Sequence, residues 1–211
     1  MTLSQWFVGT TLKTITDLMF RVDGSELAKI PSHGPLILIT NHVHMPEIPT
    51  LFLRLVPRPV TGMLLASRWD NALLRWMLNT FHIIPLRRGE ADLAGLRLGL
   101  KMLNKGYIVI VDPEGTRSHD GRLQAGRAGA VLMALRSGAP LIPVVHYGSE
   151  NYMQNLRRLR RTDFTSSLAN HSTSTRSWPP RCTTCASRSL TRSWPRWQPC
   201  CRHSTAAPTP T

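Results

Sequence analysis

The sequence predicts an α/β fold, a mainly parallel sheet flanked by helices, on three observations. Short apolar runs of strand length, PLILIT (35–40), YIVIV (107–111) and LIPVV (141–145), show no polar alternation, as strands buried on both faces do. Two segments, ADLAGLRLGLKMLNKG (91–106) and AGAVLMALRSG (128–138), place apolar residues at helical spacing and stop at a glycine. Strands and helices alternate at short intervals, the pattern of parallel strands joined by crossover helices.

Taken in order, residues 2–22 form an amphipathic N-terminal helix with Trp6, Phe7, Leu12, Ile15, Leu18, Met19 and Phe20 broadly on one side. Such a helix packs on a core or lies in a membrane interface with its aromatic rings at headgroup level. The strand Pro35–Thr40 follows, then the polar stretch NHVHMPE. Residues 48–56 and 70–80 read as helices, with VTGMLLA (60–66) as a strand between them, and HIIPL (82–86) as the next strand. The helix 91–106, the strand 107–111, the helix 128–138 and the strand 141–145 complete the pattern. In open α/β sheets ligands bind beyond the carboxyl ends of the strands. The polar clusters of this chain fall at those ends.

The chain has 211 residues and a formal charge of +14, which calls for an anionic partner. Residues 1–163 hold 20 Lys/Arg against 12 Asp/Glu, a net of +8, whereas the rest holds six Arg, no Lys and no acid. Nucleic acid is not the expected partner, because much of the excess charge lies in that last segment. LRRLRR (156–161) reads as a solvated helix face that could also meet anionic headgroups. No run of about 18 apolar residues occurs, and no signal peptide is evident. The expected location is therefore the cytoplasmic side of a membrane, peripheral or monotopic.

All four cysteines lie beyond the composition break, in a stretch rich in Ser, Thr, Arg, Pro and Trp. Cys182 and Cys185 have a ligand spacing, but Cys200 and Cys201 are adjacent and no glycine supports a turn at either pair, so no metal site is expected even with His203 nearby. A shifted reading frame accounts for the composition better. From Phe164 the shifted frame permits His-Ile-Val-Val-Gly-Gln-Pro-Phe-His-Leu-Asp, a strand, a turn and a strand. From Leu190 it permits a helix with an acidic start, in which the single codons of Trp194 and Trp197 both give Ala. The expected organisation is thus one domain over 1–163 and an out-of-frame, unstructured tail over 164–211.

Three clusters carry chemistry. His42 stands five residues before Glu47. If a helix starts near Pro46, the carboxylate can fold back to bind Nδ1–H, fix the tautomer and leave Nε2 as a base. Alone, such a pair is more often a structural hydrogen bond. Arg87-Arg88-Gly89, at the end of HIIPL, could clamp an anion. In DPEGTRS (112–118) Gly115 allows a tight backbone path, Glu114 can accept from a hydroxyl and Arg117 can grip a phosphate, although a capped Pro-Glu-Gly turn would read the same way. His44 is expected at the surface or behind His42, and Asn41 to orient its loop by a local bond. His33, His82, His119 and His146 show no partner spacing.

NH-x-x-x-x-acid, IPLRRG, PEGTRS and LIPVV, in that order, resemble the glycerolipid acyltransferase family of 1-acylglycerol-3-phosphate acyltransferases over about residues 20–163. The resemblance implies that His42 is the general base and Glu47 its partner. It implies that Arg88, Glu114, Gly115 and Arg117 bind the acceptor, with Pro143 in a block shaping the acyl-donor site. It further implies a lysophosphatidate or related glycerolipid acceptor, an acyl-CoA or acyl-carrier-protein donor, no cofactor, and work at a membrane surface. Two positions depart from the family pattern. Glu47 replaces the usual Asp, so one methylene must be absorbed, and Asp112 replaces an aromatic beside a phosphate site, where it would repel the ligand unless turned away. These departures and the tail leave a catalytically impaired lipid-binding member of the same fold as the alternative.

Overall fold

The computed structural model describes residues 3–87, 92–118 and 122–168. They form α1 (Leu3–Met19), β1 (Phe20–Asp23), a 3-10 turn (Ser25–Lys29), β2 (Leu36–Thr40), α2 (Glu47–Leu55) and β3 (Val60–Leu65). A second 3-10 turn (Ala66–Asp70), α3 (Ala72–Thr80), β4 (Ile84–Leu86), α4 (Leu93–Asn104) and β5 (Ile108–Val111) follow. The order closes with α5 (Gly129–Ser137), β6 (Leu141–Tyr147), α6 (Tyr152–Arg157) and β7 (Thr162–Leu168).

The sheet runs β1-β7-β6-β2-β5-β3-β4. Every neighbouring pair is parallel except β6 with β7. Strand β2 lies between β5 and β6, with Ile37 opposite both Val109 and Leu141. Its residues are covered from both sides, which explains the unbroken apolar run. Leu36 and Leu38 join Ile108, Ile110 and the α2 residues Leu51, Phe52 and Leu55 on one face. Ile37 joins Val109, Val111, Leu103 of α4 and Met133 of α5 on the other. At the crossing of α4 with the sheet, Gly99 lets Met133 and Met63 close in, since a Cβ there would meet Met133 Sδ at 2.7 Å.

Three segments differ from the sequence expectation. The first helix stops at Met19, and Phe20–Asp23 becomes a strand paired in parallel with β7. Phe20 turns inward there, with its ring centroid 6.1 Å from that of Phe164. The basic stretch 156–161 is not a continuous helix face. After α6 ends at Arg157, Leu159 takes φ 53° and is exposed, and Arg161 folds back to donate to the carbonyl of Phe20 at 2.9 Å. Strand β7 carries the fold through Leu168, beyond the boundary expected at Asp163, with Phe164 and Ser166 buried. The proposed tail cysteines, His203 and everything from 169 onward lie outside the described residues.

Candidate active site

Strands β2, β5 and β6 are the centre of the sheet and run in parallel, so the loops after Thr40, Val111 and Tyr147 meet at one end. Two contacts fasten them together. Asn41 extends the ladder between β2 and β6: its Nδ2 donates to the carbonyl of His146 at 3.0 Å and its Oδ1 accepts the His146 N–H at 2.8 Å. The expected local bond is thus replaced by a long-range one. The Ser118 N–H donates to the His42 carbonyl at 2.8 Å and ties the loop after β5 to the loop after β2.

His42 and Glu47 are brought together as the spacing predicted. Helix α2 begins at Glu47, with Pro46 before it, and the carboxylate turns back onto the loop that precedes the helix. Its Oε2 lies 3.3 Å from His42 Nδ1 and accepts the Val43 N–H at 2.7 Å. The residue is 1% exposed. Burial pushes its carboxyl up, but the bonds from His42, Ser149 and the backbone outweigh that and hold it below the usual carboxylate range. Glu47 is therefore an anion at neutral pH, and His42, still part-exposed, keeps Nε2 for a ligand.

Sequence reasoning missed Ser149 here. Ser149, just after β6 and 1% exposed, donates from Oγ to Glu47 Oε1 at 2.6 Å and lies 3.2 Å from His44 Nδ1. His44 itself stands 3.7 Å from Glu47 Oε1 and packs edge-on against Tyr152. His146 lies below, stacked on Phe164, with Nδ1 3.1 Å from Ser166 Oγ. Burial lowers its pKa to about 4, so it is neutral. No local spacing could reveal Ser149, because it and Glu47 are brought together only by the pairing of β6 with β2.

In the loop after β5, Gly115 takes φ 65°, a left-handed turn in keeping with the tight backbone path expected of it. Arg117 is exposed. Glu114 is buried and its Oε2 accepts the Gln124 N–H at 2.9 Å, an internal contact that pins the returning chain. Asp112 turns into its own loop, where Oδ1 accepts the Glu114 N–H at 3.0 Å. Burial raises its pKa to about 6, which trims its negative charge. Arg88 lies outside the described residues. The ends of its loop are held by Asp92, whose Oδ2 accepts the Arg87 N–H at 2.7 Å and whose Oδ1 caps α4 at Gly95 N. Pro143 sits in β6 opposite Ile39.

The Acyltransferase family model matches residues 21–147. A 1-acyl-sn-glycerol-3-phosphate acyltransferase of Bacillus subtilis is 27% identical over 143 residues, 67% of this chain and 70% of that one. A chloroplastic 1-acyl-sn-glycerol-3-phosphate acyltransferase of Brassica napus is 27% identical over 142 residues, 64% of this chain and 39% of its own length. This chain thus spans well under half of that relative. The crystal structure of PlsC, the 1-acyl-sn-glycerophosphate (LPA) acyltransferase from Thermotoga maritima, superposes with a TM-score of 0.60 at 23% identity, covering 79% of this chain and 69% of that one, and so shares the fold. The matched span contains the His42–Glu47 pair, the loop 112–118 and all of β6, and the chain belongs to the acyltransferase family.

Proposed function

We propose that this chain transfers a fatty acyl group from an acyl thioester to the free hydroxyl of lysophosphatidate, 1-acyl-glycerol-3-phosphate, in phospholipid biosynthesis. The observation that carries the reading is the Ser118-to-His42 backbone bond, which sets a loop bearing an arginine beside an oriented histidine. Relatives across bacteria and plants that carry the name 1-acyl-sn-glycerol-3-phosphate acyltransferase support the substrate class. The donor is acyl-CoA or acyl-carrier protein, and no cofactor enters the reaction.

The chemistry follows from the geometry. His42 Nε2 takes the proton of the acceptor hydroxyl as its oxygen attacks the thioester carbonyl, and Glu47 stabilises the imidazolium that forms. The tetrahedral centre collapses with cleavage of the carbon–sulfur bond, and the departing thiolate receives the proton from His42. Ser149 touches the pair but is buried and donates to Glu47, which leaves it unfit as a nucleophile. Direct transfer without an acyl-enzyme is the consistent route. Arg117 and Arg88 hold the phosphate and so fix the hydroxyl near His42.

A membrane surface supplies such substrates. None of the helices among the described residues is long and apolar enough to cross a membrane. Helices α1 and α3 nonetheless present Leu3, Trp6, Phe7, Leu18, Leu73 and Trp76 to solvent, and Gln5 Nε2 joins them by donating to the Thr80 carbonyl at 2.8 Å. This face seats on the cytoplasmic surface of the bilayer, with rings at headgroup depth.

The purified chain, supplied with lysophosphatidate and acyl-CoA or acyl-carrier protein, is expected to form phosphatidate by mass spectrometry. No product with either donor would refute the activity. Sedimentation with anionic vesicles should carry the protein down, and Trp6→Ser with Phe7→Ser should leave it in the supernatant.

A further inference from the structure

The Glu47 carboxylate has two histidines to serve. His42 Nδ1 stands 3.3 Å from Oε2, and His44 Nδ1 stands 3.7 Å from Oε1. A carboxylate shared evenly between two imidazoles would orient neither well. It would also divide its charge between a base that must gain a proton and a ring that need not.

Ser149 stands on the second side. Its hydroxyl has one proton, which is committed to Oε1 at 2.6 Å. Toward His44 the same oxygen can then only accept, which makes His44 Nδ1 the donor across 3.2 Å. Both components come from separate parts of the chain, Ser149 from the end of β6 and Glu47 from the first turn of α2. Ser149 is as deeply buried as Glu47, so water does not compete for the bond.

We propose that Ser149 is the positioning residue that reserves Glu47 for His42, by filling Oε1 and by taking the His44 Nδ1–H away from the carboxylate. The proposal rests on the acyltransferase reading of His42 and Glu47. It also explains the extra methylene of Glu47: the longer arm reaches the β6 loop while its other oxygen stays on Val43 N and His42. Of the charged and titratable groups around this centre, His42 and His44 lie on its own loop, Tyr152 of α6 packs on His44, the carboxylate's field reaches neutral His146 on β6, and His42 in turn faces Asp112 just after β5.

The test compares Ser149→Ala, Ser149→Thr and Ser149→Ala/His44→Phe in the full chain, with circular dichroism to confirm folding. Removing a bond to a charged group should lower kcat by roughly tenfold or more, with KM for both substrates little changed. Thr keeps the hydroxyl and should recover most of the rate. In the double variant the competing donor is gone while a ring remains against Tyr152, and kcat should rise above that of Ser149→Ala alone. The imidazole Nδ1–H resonances, read by proton NMR, report the arrangement without turnover. In Ser149→Ala the His44 Nδ1–H resonance should move downfield and the His42 Nδ1–H resonance upfield, as the carboxylate moves from one ring to the other. Unchanged Nδ1–H resonances, or a Ser149→Ala enzyme with wild-type kcat, would overturn the proposal. An inactive wild-type chain whose His44 Nδ1–H resonance still moves downfield in Ser149→Ala would sink the acyltransferase reading and leave Ser149's positioning of Glu47 standing.

Discussion

At the scale of single residues the proposed function divides the site into a base, its partner and an anion grip. His42→Ala should lower kcat by about 10²–10⁴, the usual contribution of a positioned general base, without unfolding a chain whose His42 side chain is part-exposed. Retention of a tenth of the wild-type rate would remove His42 from the mechanism. Glu47→Asp restores the residue common in the family, but it draws the carboxylate back by roughly one carbon–carbon bond, about 1.5 Å. The carboxylate would then lose either Ser149 or His42, and a drop in kcat is expected, read in the same steady-state assay. Arg117→Ala should raise KM for lysophosphatidate far more than for the acyl donor if the exposed guanidinium grips the acceptor's phosphate, as the proposed function has it.

Asp112 adds a pH dependence to that grip. Its folded pKa of about 6 lies above the ordinary carboxylate value, so the group is neutral in acid and becomes an anion as pH rises through about 6. The same sign makes its stabilising contribution complete below about pH 4 and lost on passing pH 6. Deprotonation places a negative charge in the loop to which the proposed function assigns the phosphate. The ratio of acceptor KM in wild type to that in Asp112→Asn should therefore grow between pH 5 and 7. A ratio that stays flat would show that the carboxylate, folded onto Glu114 N–H, is invisible to the ligand.

At the scale of elements, Asn41 is the joint on which the site depends. Its side chain completes the bonding of His146 N–H and C=O on β6, and β6 also delivers Ser149. Asn41→Ala leaves both backbone groups without this partner, at about 1–3 kcal/mol each where they are buried. The midpoint of urea unfolding should fall, and kcat should fall with it, since His42 and Ser149 shift relative to Glu47. Loss of stability with an unchanged kcat would separate the joint from the site.

The central strands and their helices were legible because their signals are local. An unbroken apolar run at 36–40 and glycine-stopped periodic segments need no knowledge of partners. His42 and Glu47 were legible for the same reason, being five residues apart at a strand-to-helix turn. Strand β1 was not, because Phe20–Asp23 continues the apolar pattern of α1 and turns extended only where β7 offers hydrogen bonds. Ser149 was hidden by distance: 102 positions separate it from Glu47, and an isolated serine after a strand carries no pattern. The tasks of Glu114 and Asp112, turned onto Gln124 and Glu114 backbone, likewise depend on the path of the loop and not on residue type.

At the scale of the whole molecule, the sheet poses a question about its own seventh strand. Thr162, Phe164 and Ser166 form the buried face of β7, and Ser166 is 1% exposed. Its hydroxyl lies 3.1 Å from His146 Nδ1, on a ring stacked against Phe164, and among the described residues His146 Nε2 finds no partner. With a base inserted at codon 164 the shifted frame permits His-Ile-Val-Val from position 165, which places Ile at 166 and leaves Phe164 in position. Burying an isoleucine contributes about 1.5–3 kcal/mol over leaving it exposed, and the β-branched run suits a strand paired on both edges. We therefore expect the frame-restored chain to unfold at a higher temperature than the 211-residue chain, read from thermal melts of the two. The single substitution Ser166→Ile, made in the present chain, isolates the packing part and should raise the midpoint alone. A genomic sequence that meets a stop codon soon after 164 in the shifted frame, or a Ser166→Ile chain less stable than the parent, would defeat the frame argument and leave the serine as the native occupant of the strand.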